Sequence, residues 1–376
     1  MKSNHNPFIL KGYQGNKLFC DRDNETKIII SNAENNISTT LLSLRRIGKT
    51  GLIQHVFHKM KSLKEWECIY IDVYATQNIS EFTNQLASAV FKTFPQNHSI
   101  GKKFMKMLKN FSPVLKFDAL TGIPEISFSY TDKKQYEFSL KNIFEFLDAQ
   151  NKSILIAFDE FQQVALYPEK NTEALLRTII QTLKNVNFIF SGSNKHLLTE
   201  MFNSIKRPFF SSTFPVFLEP IAKNKYASFI QHLFTVNNKT IDDESVSFIM
   251  EWTRLHTYYT QALCNKVYLQ NQKKVTIENV YYACDTILKE QENIYFQYRN
   301  LLTSSQWKLL TAIAKEDKVY QPTAYSFSNK HLLGNSASVR RSLLSLEKKE
   351  MVVQIVEKET SYYRVYDCFL SRWLQR

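Results

Sequence analysis

The sequence predicts an α/β fold with a parallel sheet, followed by a helical domain and a small C-terminal domain of helices and a hairpin. Up to residue 221, short apolar runs alternate with amphipathic segments of helical period, which is typical of parallel strands joined by helices. Residues 222–298 carry helical patterns only. From residue 299 onward, three helical segments precede two short β-rich runs. We therefore predict three domains, at 1–221, 222–298 and 299–376.

A phosphate-binding loop is predicted where the first strand, Ile37–Leu44, meets the helix that follows it. Gly48-Lys49-Thr50 at a strand-to-helix turn can surround phosphates with backbone N–H groups and the helix N-terminus. Lys49 would reach the β- and γ-phosphates of a nucleotide, where its charge also assists catalysis, and the Thr50 hydroxyl would bind Mg²⁺. The alternative is a chance Gly-Lys-Thr in a surface loop.

The predicted nucleotide-binding segment departs from the full phosphate-loop pattern at one position. Ser43 stands where the pattern has its first glycine, and serine lacks the backbone freedom of glycine. The segment consists of Ser43, Leu44, Arg45, Arg46, Ile47, Gly48, Lys49, Thr50 and Gly51.

A second group of candidate residues follows a continuous apolar run, residues 154–158 after Ser153, which predicts a strand buried on both faces. Asp159 and Glu160 come at its C-terminal end, where parallel sheets meet their ligands. We predict that Asp159 holds Mg²⁺ and that Glu160 is catalytic, orienting or deprotonating the attacking water. A solvated strand end is the alternative for Glu160. Ser193, after the next strand, is predicted to contact the γ-phosphate or the water, with a helix cap as the alternative.

Residues 97–135 interrupt the α/β pattern and predict an insertion. It contains a short basic helix and a hairpin whose turn is 121–124. The helix bears Lys102, Lys103, Lys106 and Lys109. We interpret these lysines as a solvated helix face, with nucleic-acid contact as the alternative.

The C-terminal pattern has the order of a winged helix. Helices are predicted at Ser304–Ala314, Lys330–Leu333 and Ser336–Lys349, and strands at Met351–Val356 and Tyr362–Val365. The third helix of such a domain normally enters the major groove of DNA. Its predicted DNA contacts are Arg340, Arg341, Lys348 and Lys349. The alternative is a winged helix used for protein packing.

Charge and composition limit the partners and the compartment. The 376-residue chain carries a net charge of +13, which suits a polyanionic partner, nucleic acid first. Its five cysteines show no metal-like spacing, and the odd count suits a reducing compartment. We see neither a signal peptide nor an apolar run long enough to span a membrane, and therefore expect a cytoplasmic protein without membrane contact.

Taken together, these motifs resemble the archaeal-type P-loop ATPase family, which is related to AAA+ and STAND ATPases and is common in archaea and gut bacteria. The resemblance covers nearly the whole chain. It is carried by Asn6-Pro7-Phe8, Phe19-Cys20-Asp21-Arg22-Asp23-Asn24-Glu25, Arg45-Arg46-Ile47-Gly48-Lys49-Thr50, Phe158-Asp159-Glu160-Phe161, Ser191-Gly192-Ser193, Arg207-Pro208-Phe209-Phe210, His256-Thr257-Tyr258-Tyr259 and Tyr366-Asp367-Cys368-Phe369.

The resemblance implies a P-loop NTPase core, a helical lid and a winged helix. It further implies that Arg22 lies near the adenine, that His256 contacts the nucleotide from the lid, and that Arg207 is an arginine finger or γ-phosphate sensor. Leu255 and Thr257 replace the Gly and Pro that usually flank this histidine.

We thus expect a nucleotide switch that binds ATP and Mg²⁺, hydrolyses ATP slowly and couples its nucleotide state to DNA binding. The competing hypothesis is a non-enzymatic adaptor that holds a nucleotide structurally and docks a protein partner through the winged helix. Such an adaptor would suit a defence or mobile-element system. Self-association is compatible with either hypothesis.

Overall fold

The computed structural model describes residues 6–63, 65–95, 98–111, 113–117, 124–128, 132–357 and 360–376. The chain divides into two compact units. The first unit is residues 11–221, and we call it the nucleotide unit because it contains the predicted phosphate-binding loop. The second unit consists of residues 222–376 together with the residues up to Leu10. The first residues of the chain therefore belong with its C-terminal part.

The nucleotide unit is built on strands and helices that alternate along the chain. Its strands are β1 (Thr39–Leu42), β2 (Trp66–Asp72), β3 (Pro113–Phe117), β4 (Pro124–Phe128), β5 (Ser153–Asp159), β6 (Val186–Gly192) and β7 (Phe214–Phe217). Its helices are α1 (Asp23–Glu34), α2 (Lys49–Met60), α3 (Ile79–Thr93), α4 (Ser99–Leu108), α5 (Lys133–Asp148), α6 (Thr172–Ile180) and α7 (Lys195–Asn203).

Five of these strands form a parallel sheet in the order β2-β5-β6-β1-β7. Alternate residues of a strand point to opposite faces, so a strand inside the sheet can contribute to two cores. Leu155 and Ala157 of β5 pack with α1 and α2, while Ile156 and Phe158 pack with the core that α3 and α5 build. The α/β prediction with a parallel sheet is confirmed, and β5 is buried on both faces as its continuous apolar run indicates.

The predicted insertion contains α4 and an antiparallel hairpin, in which β3 pairs with β4. The predicted hairpin is confirmed over the described parts of its strands. Residues 118–123, which carry most of the predicted turn, and residues 129–131 lie outside the described residues. The hairpin packs on α3, where Ser88 Oγ accepts a hydrogen bond from the backbone N–H of Ile126.

The second unit begins with four helices: α8 (Lys223–Thr235), α9 (Asp243–Trp252), α10 (Thr257–Leu269) and α11 (Ile277–Asn300). A two-residue parallel pair, β8 (Thr240–Ile241) with β9 (Lys274–Val275), closes the turns between them. Phe8, 1% exposed, packs against Phe234 and Tyr268. The Asn6 side chain donates to the Asn265 carbonyl at 3.0 Å, and the Asn265 side chain donates to the Phe8 carbonyl at 2.7 Å. These contacts hold the start of the chain on the helical part.

The C-terminal elements are α12 (Ser304–Glu316), α13 (Tyr325–Lys330), α14 (Ser336–Lys348), β10 (Val352–Glu357), β11 (Thr360–Val365) and α15 (Cys368–Leu374). Helices α12 to α14 followed by the β10–β11 hairpin have winged-helix order. The predicted helix at Lys330–Leu333 is wrong, because left-handed backbone at Leu332 and Gly334 ends α13 near Lys330. None of the helices that the structure describes is long and apolar enough to cross a membrane.

Candidate nucleotide site

The predicted phosphate-binding loop falls on the turn between β1 and α2. Gly48 has φ 109°, a conformation that favours glycine, and it precedes the first residue of α2. Arg46 is also left-handed, with φ 60°. Ile47 between them is buried and packs into the core under α2. The N-terminus of α2 therefore opens at the end of β1, where an anion would meet unpaired backbone N–H groups.

Lys49 is 6% exposed and folds back along this turn. Its Nζ donates to Ser43 Oγ at 3.2 Å and to the Leu44 carbonyl at 3.0 Å. Ser43 Oγ in turn donates to the same carbonyl at 2.8 Å. The serine that departs from the usual pattern therefore supplies a hydrogen-bond acceptor for the lysine, which a glycine could not do.

Burial lowers the pKa of Lys49 to about 8, although the nearby carboxylates of Asp159 and Glu160 favour the charged form. The amine is therefore mostly protonated at neutral pH and loses its charge as the pH rises above this value. Nucleotide phosphates would add negative charge beside it and stabilise the protonated form.

Asp159 links the phosphate loop to three strands. Its Oδ2 accepts hydrogen bonds from Thr50 Oγ1 at 2.8 Å and from Tyr70 Oη at 2.7 Å. Its Oδ1 accepts from Ser191 Oγ at 2.5 Å and from the backbone N–H of Glu160 at 3.1 Å. Burial and the Asp159 carboxylate raise the pKa of Tyr70, so this hydroxyl stays protonated and donates. The two predicted Mg²⁺ ligands, Thr50 and Asp159, are therefore hydrogen-bonded to each other.

The donor set fits Mg²⁺ held jointly with a nucleotide. Asp72, at the end of β2, lies beside Asp159 in the parallel register. Burial raises the pKa of Asp72, and the negative charges of Asp159 and Glu160 add to this effect. Among the described residues, no group of three or more His, Cys, Asp or Glu side chains could hold a metal alone. Mg²⁺ often takes one or two carboxylates and completes its shell with phosphates and water, so a hydroxyl and a carboxylate suffice here.

Glu160 is held by residues on two other segments. Its φ is 57°, and its Oε2 accepts from the backbone N–H of Ser193 at 3.1 Å and from Ser193 Oγ at 2.7 Å. Gln162 Nε2 donates to the same oxygen at 2.6 Å. Ser193 therefore contacts the predicted catalytic carboxylate, while Asn194 caps α7 by accepting from the Leu197 N–H. The helix-cap alternative therefore falls on Asn194. Contact of Ser193 with the γ-phosphate or the attacking water stays a prediction.

Gln162 and Tyr70 are the site residues that sequence reasoning missed. Gln162 is 7% exposed and crosses directly over Gly192. A Cβ added at Gly192 would lie 1.8 Å from Gln162 Oε1. The glycine in Ser191-Gly192-Ser193 therefore makes room for the side chain that holds Glu160. The tyrosine offers no such signal, because its partner lies 89 residues away.

This packing predicts a coupled effect on turnover. Gly192→Ala should push Gln162 off Glu160, and Gln162→Ala should remove the same hydrogen bond. We expect either change to lower kcat by between about 10- and 100-fold, because a misplaced catalytic group costs rate without changing phosphate binding. The double variant should lose little more than either single one. This positioning role would be contradicted if the two losses in kcat added up in the double variant, or if the changes raised KM and left kcat unchanged.

Two family models match the chain. The model of the KAP family P-loop domain matches residues 47–263, more than half of the chain, and that of a probable winged helix domain matches residues 293–376. The chain belongs to the KAP family of P-loop NTPases. A comparison with curated protein sequences finds no match.

Solved structures match this KAP-family chain over nearly its whole length. The Walker-type ATPase paby2304 of Pyrococcus abyssi is 18% identical, with 98% of this chain and 100% of that chain covered and a TM-score of 0.66. The ORC2 protein of Aeropyrum pernix in its ADPNP–ADP complexes is 12% identical, with coverage of 99% and 98% and a TM-score of 0.60. The A. pernix ORC1 protein in complex with DNA is 14% identical, with coverage of 96% and 93% and a TM-score of 0.51. At these identities the matches show a shared fold.

The three residues implied by the family resemblance lie in different surroundings. Arg22 of this KAP-family NTPase is 4% exposed, precedes α1 and pairs with Glu25 at 2.9 Å. Arg207 forms ion pairs with Glu173 at 3.2 Å and with Glu200 at 3.4 Å, so its guanidinium contacts glutamates and not the phosphate loop. His256 belongs to the second unit. Nucleotide contact by each of the three stays a prediction.

His256 stands at the start of α10, and its ring lies 4.6 Å from that of Tyr259. The two residues before it, Arg254 and Leu255, both have left-handed backbone, with φ 59° and 56°. Such backbone is costly for non-glycine residues and persists only where surrounding contacts fix it. The position of His256 is therefore tightly determined within its unit.

The predicted DNA-contact residues lie on or just after α14. Leu343 and Leu346 pack inward, while Arg340 and Arg341 are exposed. Neither arginine side chain forms a hydrogen bond or ion pair with any residue that the structure describes. Lys348 and Lys349 are also exposed, and Lys349 Nζ donates to the Leu301 carbonyl at 2.8 Å. The helix thus presents two arginines whose charges have no partner among the described residues.

Proposed function

We propose that the protein is a nucleotide switch that binds ATP with Mg²⁺, hydrolyses ATP slowly and couples its nucleotide state to DNA binding through the winged helix. The observation that carries the nucleotide half is the 2.8 Å hydrogen bond from Thr50 to Asp159. It joins two motifs 109 residues apart in the chain, each predicted separately to bind Mg²⁺. A chance Gly-Lys-Thr in a surface loop would not meet a buried carboxylate in this way.

The chain's own residues account for the steps of hydrolysis. The N-terminus of α2 and Lys49 bind the phosphates, and Thr50 and Asp159 would hold Mg²⁺. When bound, Mg²⁺ supplies positive charge that offsets the charge on the phosphate oxygens. Glu160 orients the attacking water and accepts its proton, with Ser193 and Gln162 fixing one carboxylate oxygen. Little covalent chemistry is required of the protein, because phosphoryl transfer depends mainly on positioning and charge stabilisation.

Arg254 supports the coupling half of the proposal. This residue lies in the loop between α9 and α10, and its guanidinium donates to Ser371 Oγ at 2.7 Å and to the Val365 carbonyl at 3.2 Å. It also forms an ion pair with Asp317, which pairs with Arg364 of the wing at 2.5 Å. The helical lid and the winged helix therefore share one partly buried charged network.

The same network lies next to the predicted nucleotide contact. Arg254 is separated from His256 by a single residue, and both residues before His256 are left-handed. A nucleotide that moves His256 would have to move Arg254, and with it the wing residues that Arg254 holds. This is a discrete linkage through which a nucleotide could bias the winged helix.

The DNA half of the proposal is tested on α14. Arg340→Ala/Arg341→Ala should weaken duplex-DNA binding. It should also make the fall of log affinity with log salt less steep by about two units, because a complex with fewer phosphate contacts releases fewer counterions when it forms. Lys308→Ala/Lys315→Ala is the matched control, since it removes two exposed charges from α12 of the same domain. The measurement is duplex binding over a salt series. Equal affinity and slope in both variants would reject α14 as the DNA-contacting helix.

A protein-docking adaptor is the second candidate. It is favoured by large apolar side chains that the winged helix leaves exposed: Tyr325, Leu332, Leu344 and Val356. Their exposed fractions are 82%, 80%, 58% and 71%, respectively. Exposed apolar side chains of this size are common at protein interfaces. If α14 fails the DNA test, the adaptor becomes the leading function.

A further inference from the structure

A second basic surface lies on the insertion of the nucleotide unit. Its members are exposed lysines on the last turn of α3, on α4 and just after α4: Lys92, Lys102, Lys103, Lys106 and Lys109. The chain from residue 92 to residue 117 contains no Asp or Glu. None of the five lysine side chains forms a hydrogen bond or ion pair with a residue in the described ranges. We call this set the insertion lysines.

The fold fixes which way α4 faces. Phe104 and Leu108 are fully buried, and the Phe104 ring packs 5.2 Å from that of Phe146 on α5. Gly101 sits so close to the preceding turn that a Cβ there would lie 2.1 Å from the Phe94 carbonyl oxygen. The apolar side of α4 is therefore held against the protein, and its lysines point to solvent.

Three of the insertion lysines are spaced along one face of α4 and the turn that follows it. Lys102, Lys106 and Lys109 follow each other at intervals of four and three residues, which places them on the same side of a helix. At about 1.5 Å per residue, the seven residue steps from Lys102 to Lys109 cover roughly 10 Å. Phosphates of one B-DNA strand rise by about 3.4 Å each along the duplex axis, so this face, aligned with that axis, would cover about three of these rises.

We propose that the insertion lysines bind the phosphate backbone of duplex DNA. Lysine ammonium groups act as point charges, so the contact is to phosphates and carries no sequence preference. The apolar side of α4 is used inside the protein and offers nothing to insert into a bilayer, which favours DNA over an anionic membrane. The surface shares the partner of the proposed function but lies in the nucleotide unit, apart from the α14 arginines in sequence and in domain.

The test compares two triple variants of the full-length chain. Lys102→Gln/Lys106→Gln/Lys109→Gln removes three charges from the insertion. The control, Lys27→Gln/Lys59→Gln/Lys61→Gln, removes three exposed charges from the α1–α2 side of the sheet. Binding of a mixed-sequence duplex is measured over a salt series. In the insertion variant the fall of log affinity with log salt should become less steep by roughly 0.9 for each lost contact, between two and three units in all. The control should keep the slope of the wild type.

Further arms separate this proposal from its alternatives. ATP affinity should stay unchanged in the insertion variant, which shows that the nucleotide unit is folded. A slope equal to that of the control overturns the proposal. Unchanged DNA binding with lost binding to phosphatidylserine vesicles overturns it in favour of a lipid surface. The comparison is repeated in the Arg340→Ala/Arg341→Ala background to distinguish the two sites. Substituting the insertion lysines should make the salt dependence less steep there too, even if α14 does not touch DNA.

Discussion

Lys49→Ala is expected to weaken ATP binding by at least about 100-fold while leaving the fold intact. Lysine at this position contacts two phosphates, and each hydrogen bond involving a charged group contributes roughly 1.5–3 kcal/mol. The wild-type lysine is held by Ser43 Oγ and the Leu44 carbonyl at the mouth of the loop, in place to meet an anion. Nucleotide affinity, measured by calorimetry or fluorescence titration, checks this expectation.

Two comparisons make the Lys49 result specific. Lys59→Ala removes an exposed charge from the same helix and should bind ATP like wild type. The pKa of Lys49 is lowered to about 8, so the affinity of the wild type should fall as the pH rises above this value and the amine loses its charge. Unchanged affinity in a folded Lys49→Ala protein would refute the phosphate-loop assignment.

Glu160→Gln is expected to keep ATP bound and to lower hydrolysis by about 10²- to 10⁴-fold, the range for losing a general base. A glutamine can still accept hydrogen bonds from Ser193 and Gln162 through its amide oxygen, so the local structure should persist. Steady-state turnover and ATP affinity are measured together, with the exposed Glu34→Gln as the charge-matched control. Turnover equal to that of the wild type would show that another group activates the water.

The parts of the site that the sequence predicts are those with a local cause. A phosphate loop needs only a strand, a glycine turn and a helix in succession, and all three lie within residues 39–60. Asp159 and Glu160 follow from the rule that ligands meet parallel strands at their C-terminal ends. Because these causes act within a short stretch of chain, pattern reasoning places Lys49, Thr50, Asp159 and Glu160 without knowledge of the tertiary structure.

Contacts between distant segments escape such reasoning. Tyr70 reaches Asp159 because β2 and β5 are neighbours in the sheet, and strand order is not written in any one segment. The role of Gln162 can be inferred only from the structure, in which its side chain packs directly against Gly192. The role of Ser43 as an acceptor for Lys49 likewise depends on how the lysine folds back.

The second unit shows the same limit. The order of helices and wing strands predicts the winged helix, but α13 is displaced because left-handed backbone at Leu332 and Gly334 decides where it ends. The Arg254 network joins three segments through a buried guanidinium, two carbonyl or hydroxyl acceptors and an ion pair. Such a network cannot be predicted from the periodicity of the sequence, although the proposed link between nucleotide and DNA depends on the network.

The most direct test of that link is the duplex-DNA affinity of full-length Glu160→Gln protein, saturated in one case with ATP and Mg²⁺ and in the other with ADP and Mg²⁺. The variant keeps the ATP state from decaying during the measurement. Coupling predicts that the two affinities differ by roughly 5- to 150-fold, and that DNA shifts the relative affinity for the two nucleotides by the same factor. Equal DNA affinities with both nucleotides bound would contradict the switch.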